Sequence, residues 1–405
     1  MKIAILSSIY PQHAQDIYRE NPLLHQRTSD EQMEYIRWHA LSSYTRWNEL
    51  LTKLKFKVIE FVHNLPTVEK KWAKENQIDT TETEDVLNIG LEKVKRFEPD
   101  ILYCTSPVCY IKSSFLKELI SILPKRPKII AWYGADCGKE EIFQFFDLTL
   151  SNSKHLVNSL RNRKIPADFL QHSFEPAVLD KIKIPEKRIN RVGFFGNLDV
   201  STYDFKKRTE LLRKIFEIEK NIDVHGTVYV PKRFERYKYS AIKARHDFSR
   251  IVEKLYPLKR IKIWSQIENL PPNPWPLGKK FTQQVKPALF GQKMLQALSN
   301  YQVAFNYHNK HTGNYACNMR LFEATGVGCC LLTDNKSDIN SIFEPDSEIV
   351  TFSNPEDAIS KVKFLIKEPK LAKKIALAGQ KRTLTEYTAE KQVGHFVYHL
   401  TRLFK

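Results

Sequence analysis

The stretch NMRLFEATGVGCCLLTD runs from Asn318 to Asp334 and combines a short helical pattern with an apolar run. The helix is expected to end at Gly326, in the left-handed conformation that glycine often adopts at helix C-termini. The run Cys329–Thr333 predicts a buried strand that delivers Asp334 at its carboxyl end. A helix followed directly by a fully apolar strand is typical of a parallel α/β sheet.

The same alternation of apolar runs and helical patterns extends from this stretch to both ends of the chain. It predicts an α/β protein with two Rossmann-like, doubly wound domains, over 1–185 and 186–388, and a terminal helix over 389–405 that crosses back to the first domain. In such sheets ligands bind beyond the carboxyl ends of the strands, so a ligand is expected in the cleft between the domains. The predicted strands are Lys2–Ser7, Lys57–Val62, Ile101–Cys104, Lys128–Trp132, Leu148–Ser151, Asp168–Gln171, Arg191–Asn197, Ile222–Val224, Arg260–Ser265, Val303–Tyr307, Cys329–Thr333 and Glu348–Phe352.

Composition excludes several protein classes. The chain has 405 residues, of which 42% are hydrophobic and 27% charged, as in ordinary globular proteins and unlike disordered ones. Its apolar runs fall short of the roughly eighteen residues that a membrane-spanning helix needs, and its start, MKIAILSSIYPQ, predicts a buried strand instead of a signal peptide. Six cysteines without C-x-x-C spacing argue against a zinc site and favour reduced, buried thiols, which predicts a cytoplasmic protein.

The net charge of +18 is concentrated in the middle of the chain, because residues 151–300 carry 30 basic and 14 acidic side chains. Within them, the segment 232–262 holds eleven Lys or Arg against three acids. Such a segment fits an anionic ligand, an anionic membrane surface or nucleic acid, and it also fits a solvated helical face. No helix-turn-helix or RNP-like motif accompanies it, so nucleic acid is the less favoured partner.

Arg320 and Glu323 stand three residues apart and therefore share one face of the predicted helix. A carboxylate in that position can accept hydrogen bonds from both hydroxyls of a ribose, and a guanidinium can hold a diphosphate through a forked contact. The alternative is an ion pair on the surface of a core helix.

Several further motifs surround this pair, and together they resemble the carboxyl-terminal module of the group 1 glycosyltransferases, in particular the branch of the spore-maturation CgeB-like proteins. The resemblance is fainter over Val192–Asn197 and the Arg208 helix that follows. The motifs that carry it are Arg320–Ala324, Gly326–Gly328, Leu331–Asp334, Phe343–Pro345, Glu348–Phe352 and Ile375–Arg382.

The resemblance implies a GT-B fold in which two Rossmann-like domains face a cleft, with a nucleotide-sugar donor on the second and the acceptor on the first. It implies transfer of a sugar, with retention, from a nucleotide-diphosphate donor to a cell-surface glycan, a lipid-linked glycan or a protein. Glu323 would hold the donor ribose, while Arg320, or a base such as Lys207 or Arg208, would stabilise the departing diphosphate. The remaining donor-side candidates are Gly196, Asn197, His308, Asn318, Phe322, Thr325, Gly326, Thr333 and Asp334.

On the acceptor side the candidate is Asp136, which follows a predicted buried strand and would act as an acceptor contact or base; its alternative role is to cap a helix. His13, in the loop after the first strand, is a second acceptor-side candidate. Gly196 and Asn197 would bring backbone N–H groups to the phosphates. His308 would face the donor, and its alternative role is that of a hydrogen-bonded histidine at the end of a strand. No cofactor is expected, and a basic residue could replace a metal at the diphosphate.

One departure from the family pattern keeps other functions open. Relatives often carry a second Glu eight positions before the ribose-binding one, and Tyr315 stands there instead. A non-catalytic nucleotide-sugar-binding partner subunit, a basic polyanion-binding protein and a nucleotide-sugar epimerase therefore remain alternatives. For a transferase, the segment 232–262 predicts a peripheral position on the anionic inner face of a membrane.

Overall fold

A computed structural model describes most of the chain. The described residues are 1–40, 46–78, 86–105, 113–134, 140–198, 203–219, 221–227, 237, 244, 248, 279–308 and 313–404. The predicted strand at 260–265, the candidate Asp136 and nearly all of the basic segment 232–262 lie outside them.

The first domain is built on a six-stranded parallel sheet with the order β2-β1-β3-β4-β5-β6. Both faces of this sheet are covered by helices, which explains why its central strands read as continuous apolar runs. Its strands are β1 Lys2–Ser7, β2 Lys57–Val62, β3 Ile101–Thr105, β4 Lys128–Trp132, β5 Leu148–Ser151 and β6 Ala167–Phe169. Its helices are α1 Pro11–Glu20, α2 Ser29–Ala40, α3 Trp47–Lys53, α4 Pro66–Glu75, α5 Val86–Phe97, α6 Ser113–Ile122 and α7 Lys154–Asn162.

The second domain has a five-stranded parallel sheet with the order β11-β10-β9-β7-β8. Together the two sheets confirm the predicted α/β class. The strands are β7 Ile189–Phe195, β8 Ile222–His225, β9 Tyr301–Phe305, β10 Cys330–Asp334 and β11 Val350–Phe352. The helices are α8 Tyr203–Ile218, α9 Lys279–Gln284, α10 Gly291–Ser299, α11 Arg320–Gly326, α12 Pro355–Lys367 and α13 Pro369–Glu386.

The chain passes between the two domains twice, and the two crossings touch. Phe174, in the connection after β6, exchanges backbone hydrogen bonds with Tyr387 and Ala389 at the start of the last helix, α14 (Ala389–Leu403). Phe396 of α14 is fully buried against the ring of Tyr103 in the first domain, with ring centroids 4.5 Å apart. The last helix therefore packs on the core of the first domain, although it follows the second in sequence.

The turn that follows α11 differs from the sequence prediction. The helix does end at Gly326, but the residue in the left-handed region is Gly328, with a φ of +74°. Gly326 is small for a different reason, since a Cβ there would lie 2.5 Å from the ring of Phe174. The expectation of a left-handed cap at Gly326 is therefore wrong, and that glycine instead allows the interdomain connection to pack against α11.

The cysteines that the structure describes are free and buried, which confirms the predicted core thiols for Cys104, Cys317, Cys329 and Cys330. Cys109 and Cys137 lie outside the described residues. Among the helices that are described, none is long and apolar enough to cross a membrane.

Candidate functional site

The candidate site lies where three neighbouring strands of the second sheet end. Strand β7 ends at Phe195, His308 follows β9, and Asp334 ends β10. Because parallel strands have their carboxyl ends at one edge of the sheet, these residues come together there. The amino-terminal end of α11 faces the same edge, since Arg320 bonds to the last residue of β7.

Arg320 and Glu323 form the ion pair that their spacing predicts, with 2.7 Å between Nη1 and Oε2. The pair is not a surface pair, because the two side chains are only 15% and 9% exposed. Nη2 of Arg320 also donates to the carbonyl oxygen of Phe195 at 3.1 Å. Within the described residues, the buried Nε of Arg320 has no hydrogen-bond partner. The guanidinium is thus fixed in place while one of its donors stays available.

Arg208, on α8, brings a second guanidinium to the same edge. Its side chain donates to the carbonyl oxygen of Asn197 and lies 5.5 Å from the centre of the Phe194 ring. Burial, together with the nearby positive charge of Arg320, lowers the pKa of Arg208 to about 10, while Asp334 acts in the opposite direction. Two buried cations close enough to repel each other favour an anion between or beside them.

Asp334 is held by His308 and Lys336. Its Oδ1 accepts from the backbone N–H of His308 at 2.8 Å and lies 2.7 Å from Nδ1 of that ring, while Oδ2 lies 3.2 Å from Nζ of Lys336. Burial alone would raise the pKa of Asp334, but the attraction of His308 and Lys336 lowers it to about 2. Asp334 is therefore ionised and orients His308, whose buried Nε2 has no partner among the described residues.

A chain of amide and hydroxyl groups connects these charged residues to α11. Asn318 donates to Oδ1 of Asn306 at 2.8 Å, and Asn306 donates to the hydroxyl of Thr333 at 2.9 Å. The other end of the Asn318 amide accepts from the backbone N–H of Arg320 at 3.0 Å. Asn318 and Thr333 thus connect α11 to the ends of β9 and β10 through hydrogen bonds.

Three of the predicted donor contacts lie instead in the core of the second domain. The ring of Phe322 is fully buried against Phe343 and Tyr387. The hydroxyl of Thr325 bonds to the hydroxyl of Thr383 at 2.6 Å, and Gly326 packs on Phe174. These residues sit on the helix face that points away from Arg320 and Glu323, so the structure gives them a supporting position rather than a donor contact.

The expected phosphate contact at Gly196 is also corrected. Its backbone N–H donates to the carbonyl oxygen of His225 at 3.0 Å, so that donor is already used within the sheet. Asn197 and Lys207 are exposed near the same edge. The sequence reasoning also missed Asn306 and Lys336. Asn306 directly follows β9 and Lys336 stands two residues after β10, and a polar residue just past a strand end is the signal that could have found them.

Two contacts of neutral polar groups join the first domain to the second near this edge. His13 on α1 stacks on Phe290 with 5.6 Å between ring centroids, and burial lowers its pKa to about 4 despite the nearby Asp16. Asn152, directly after β5, donates its amide to the carbonyl oxygen of Cys317 at 2.5 Å. Cys317 lies three residues before α11, so the Asn152 contact brings the first domain beside the site, which is a cleft with one wall from each domain.

In the described part of the chain, no cluster of three or more His, Cys, Asp or Glu side chains could hold a metal ion. The carboxylates at the site are instead paired with cations of the chain itself, Glu323 with Arg320 and Asp334 with Lys336.

Residues 245–397, which include Arg320, Glu323 and Asp334, match the family model described as glycosyl transferase-like. No curated protein sequence matches the chain significantly.

The whole chain is similar in fold to solved glycosyltransferase structures. A glycosyltransferase from Rickettsia africae matches with a TM-score of 0.54 and 11% identity over 100% of this chain and 98% of the other. Anabaena Alr3699/HepE in complex with UDP-glucose matches with a TM-score of 0.55 and 10% identity over 99% and 100%. Sucrose-phosphate synthase from Thermosynechococcus elongatus matches with a TM-score of 0.55 and 9% identity over 100% and 99%.

These likenesses confirm the predicted GT-B fold, with two Rossmann-like domains that face a cleft. With the match of residues 245–397 to the glycosyl transferase-like model, they support a glycosyltransferase. The CgeB-like branch is not confirmed and stays a prediction.

Proposed function

We propose that the protein transfers a sugar from a nucleotide-diphosphate donor that binds at the carboxyl edge of the second sheet. The observation that carries this proposal is the pair of buried guanidinium groups, Arg208 and Arg320, beside the buried carboxylate of Glu323. A nucleotide diphosphate matches that arrangement, because its phosphates are anionic and its ribose offers two adjacent hydroxyls.

In the proposed reaction, the bond between the anomeric carbon of the donor and the diphosphate oxygen breaks. The acceptor hydroxyl oxygen forms the new bond to that carbon, and its proton passes to the departing diphosphate. Negative charge grows on the departing diphosphate, and Arg320 and Arg208 stabilise it from fixed positions. Glu323 accepts from the ribose hydroxyls, and Asp334 holds His308 so that Nε2 faces the donor. We propose retention at the anomeric carbon.

We further propose that the reaction needs no metal ion, since the two guanidinium groups supply positive charge where a divalent cation would otherwise act. The acceptor would be a cell-surface glycan, a lipid-linked glycan or a protein bound on the first-domain wall. We also propose that the basic segment 232–262 brings the enzyme to the anionic inner face of a membrane; binding to vesicles that depends on neither anionic lipid nor salt would contradict it.

The donor proposal is tested by thermal shift with UDP, GDP, ADP, CMP and their sugar conjugates, starting with UDP because Alr3699/HepE binds it. A ligand at about a hundred times its dissociation constant stabilises the fold by about 2.7 kcal/mol, so the shift is readily measured. We expect one nucleotide to raise the melting temperature and Glu323→Ala to abolish that increase.

The matched control for this variant is Glu118→Ala, which removes an exposed carboxylate from α6 of the first domain and should leave the ligand-induced shift unchanged. Absence of a shift with every nucleotide would contradict the proposal and favour the polyanion-binding alternative. A shift without turnover of donor, with Tyr315 in place of the second carboxylate, would favour the non-catalytic partner subunit.

A further inference from the structure

The helical hairpin formed by α12 and α13 carries an unusually one-sided charge. Between positions 361 and 381 the sequence has seven lysines and a single acidic residue, Glu368. Six of these lysines are exposed, and we call them the lysine face: Lys363, Lys367, Lys370, Lys373, Lys374 and Lys381.

Helical spacing explains why the lysines point outward together. On α13 the exposed positions 370, 373, 374, 377 and 381 recur every three or four residues, which is one side of a helix. The opposite side, with Ala372, Ile375 and Ala376, is buried in the core of the second domain. On α12, Val362 and Leu365 are buried in that same core, while Lys363 and Lys367 are exposed.

The charge of the lysine face is not neutralised by the chain. Within the described residues, none of its six lysines forms an ion pair, and Glu368 pairs with none of them. The basic residues that flank it behave differently, because Lys361 lies 4.0 Å from Asp357 and Arg382 lies 3.2 Å from Glu348. The charges of the two flanking basic residues are thus neutralised by acidic partners, whereas the lysine face between them stays positively charged.

Two large apolar side chains are exposed among these lysines. Phe364 is 50% exposed and directly follows Lys363, and Leu377 is 56% exposed one turn after Lys373 and Lys374. Lysines around exposed apolar side chains are typical of helices that lie at a membrane interface, where the lysines meet anionic headgroups and the apolar groups enter the acyl boundary. Nucleic-acid surfaces favour arginine, for forked phosphate and base contacts, and the lysine face contains none.

We propose that the lysine face, with Phe364 and Leu377, docks the second domain on an anionic lipid bilayer. The lysines contact the lipid phosphates, and the two apolar side chains insert between the headgroups. The residues of this surface differ in sequence from the segment 232–262 and from the site residues of the cleft, and the proposal stands whether or not the protein transfers a sugar.

The test is flotation of the full chain with phosphatidylcholine vesicles, with and without phosphatidylglycerol. Each lysine brought to such a surface strengthens binding about fivefold, so K370A/K373A/K374A should weaken binding to the anionic vesicles about a hundredfold. The control K53A/K70A/K74A removes three exposed first-domain lysines that have no ion pair in the described residues, and so changes the net charge equally. We expect the control to bind nearly as wild type does.

A second variant, F364A/L377A, keeps every charge and tests the insertion. It should bind anionic vesicles several-fold more weakly, yet bind a heparin column as wild type does. All these substitutions are at exposed positions, and an unchanged melting temperature shows that the variants fold.

Equal binding of K370A/K373A/K374A and wild type would overturn the proposal, as would wild-type binding that does not depend on phosphatidylglycerol. A triple variant that loses binding to duplex DNA but keeps vesicle binding would also overturn it, in favour of a nucleic-acid surface. The nucleotide thermal shift is measured separately, so failure of the donor proposal is distinguishable from failure of this one.

Discussion

The two walls of the cleft differ in the charge of their buried polar side chains. On the second-domain wall, Arg208, Glu323 and Asp334 are buried, and the side chain of Arg320 is 15% exposed. Glu323 pairs with Arg320, and Asp334 pairs with Lys336. On the first-domain wall, two buried polar groups among the described residues are neutral, because burial lowers the pKa of His13 to about 4 and the Asn152 side chain is an amide.

This difference matches the two halves of the proposed reaction. A departing diphosphate develops negative charge, which fixed cations stabilise at little reorganisation cost. An acceptor hydroxyl is neutral, and a wall of neutral donors and acceptors can bind it without a desolvation penalty for buried charge.

The largest effect is expected for Arg208→Met. Turnover should fall about 10²–10³-fold, because loss of one fixed group that stabilises developing charge typically costs that much. The stability of the folded protein should rise. The pKa of Arg208 is lowered from 12.5 to about 10, so the folded protein binds this proton less tightly than the unfolded chain does. At about 1.4 kcal/mol per pKa unit, the free energy of unfolding should rise by no more than about 3 kcal/mol.

Urea unfolding and donor turnover measure the two changes for Arg208→Met. Arg213→Met, on the same helix, removes an arginine that pairs with Glu217 near the surface and is the matched control. A variant that is less stable and fully active would show that Arg208 is a structural residue.

His13 should make the first-domain wall sensitive to mild acid. Its pKa is 6.5 when unperturbed and about 4 in the fold. Between those values the unfolded chain binds a proton that the folded protein does not, so the free energy of unfolding should fall by about 3 kcal/mol as the pH drops from 6.5 to 4. Urea midpoints measured across this window should depend less steeply on pH in His13→Gln, whereas the exposed control His395→Gln should behave as wild type.

Asp334 should make the second-domain wall sensitive only to stronger acid. Its pKa is lowered from 3.8 to about 2, so its contribution is complete above pH 3.8 and is lost as the pH falls to 2. Asp334→Asn should therefore cost about 2 kcal/mol at neutral pH and show a flatter stability profile below pH 4. Urea midpoints check this, with the exposed Asp180→Asn as control. If both walls lost stability in the same pH window, the contrast between them would be wrong.

Much of the fold could be predicted from the sequence because parallel strands covered on both faces read as uninterrupted apolar runs. The predicted bounds of β1, β2, β4 and β5 coincide with those of the structure, and β3 differs by one residue. The loops after these strands lack such a pattern, and the predictions of site residues in these loops are less complete than those of the strands.

The site predictions differ from the structure where a contact is made by a residue distant in sequence. Gly196 uses its N–H on His225, a partner supplied by the neighbouring strand, and no local pattern shows that. The spacing of α11 correctly put Arg320 and Glu323 on one face, but it could not show that the face of Phe322 and Thr325 belongs to the core. The cross-domain contact of Asn152 with Cys317 depends on how the two domains dock and has no signal in the sequence at all.

The smallest of the four effects is expected at Asn152, which joins the two walls. Asn152→Ala removes one hydrogen bond and should cost about 1 kcal/mol of stability. Asn152→Asp should cost more, since it sets a carboxylate oxygen where the amide now donates to the carbonyl oxygen of Cys317 at 2.5 Å. Either change should leave the nucleotide thermal shift intact, because the donor-side residues are all in the second domain.

Turnover should fall about tenfold in Asn152→Asp, because a shift of one wall misplaces the acceptor relative to the donor. Solution X-ray scattering should show a larger radius of gyration for this variant than for Asn152→Ala. The neighbouring cross-domain pair, Lys154 and Asp338, is 3.3 Å apart with Lys154 partly exposed, so Lys154→Ala is the matched control and should change little. An Asn152→Asp protein with wild-type dimensions and turnover would show that other interdomain contacts, such as that of His13 with Phe290, hold the walls together.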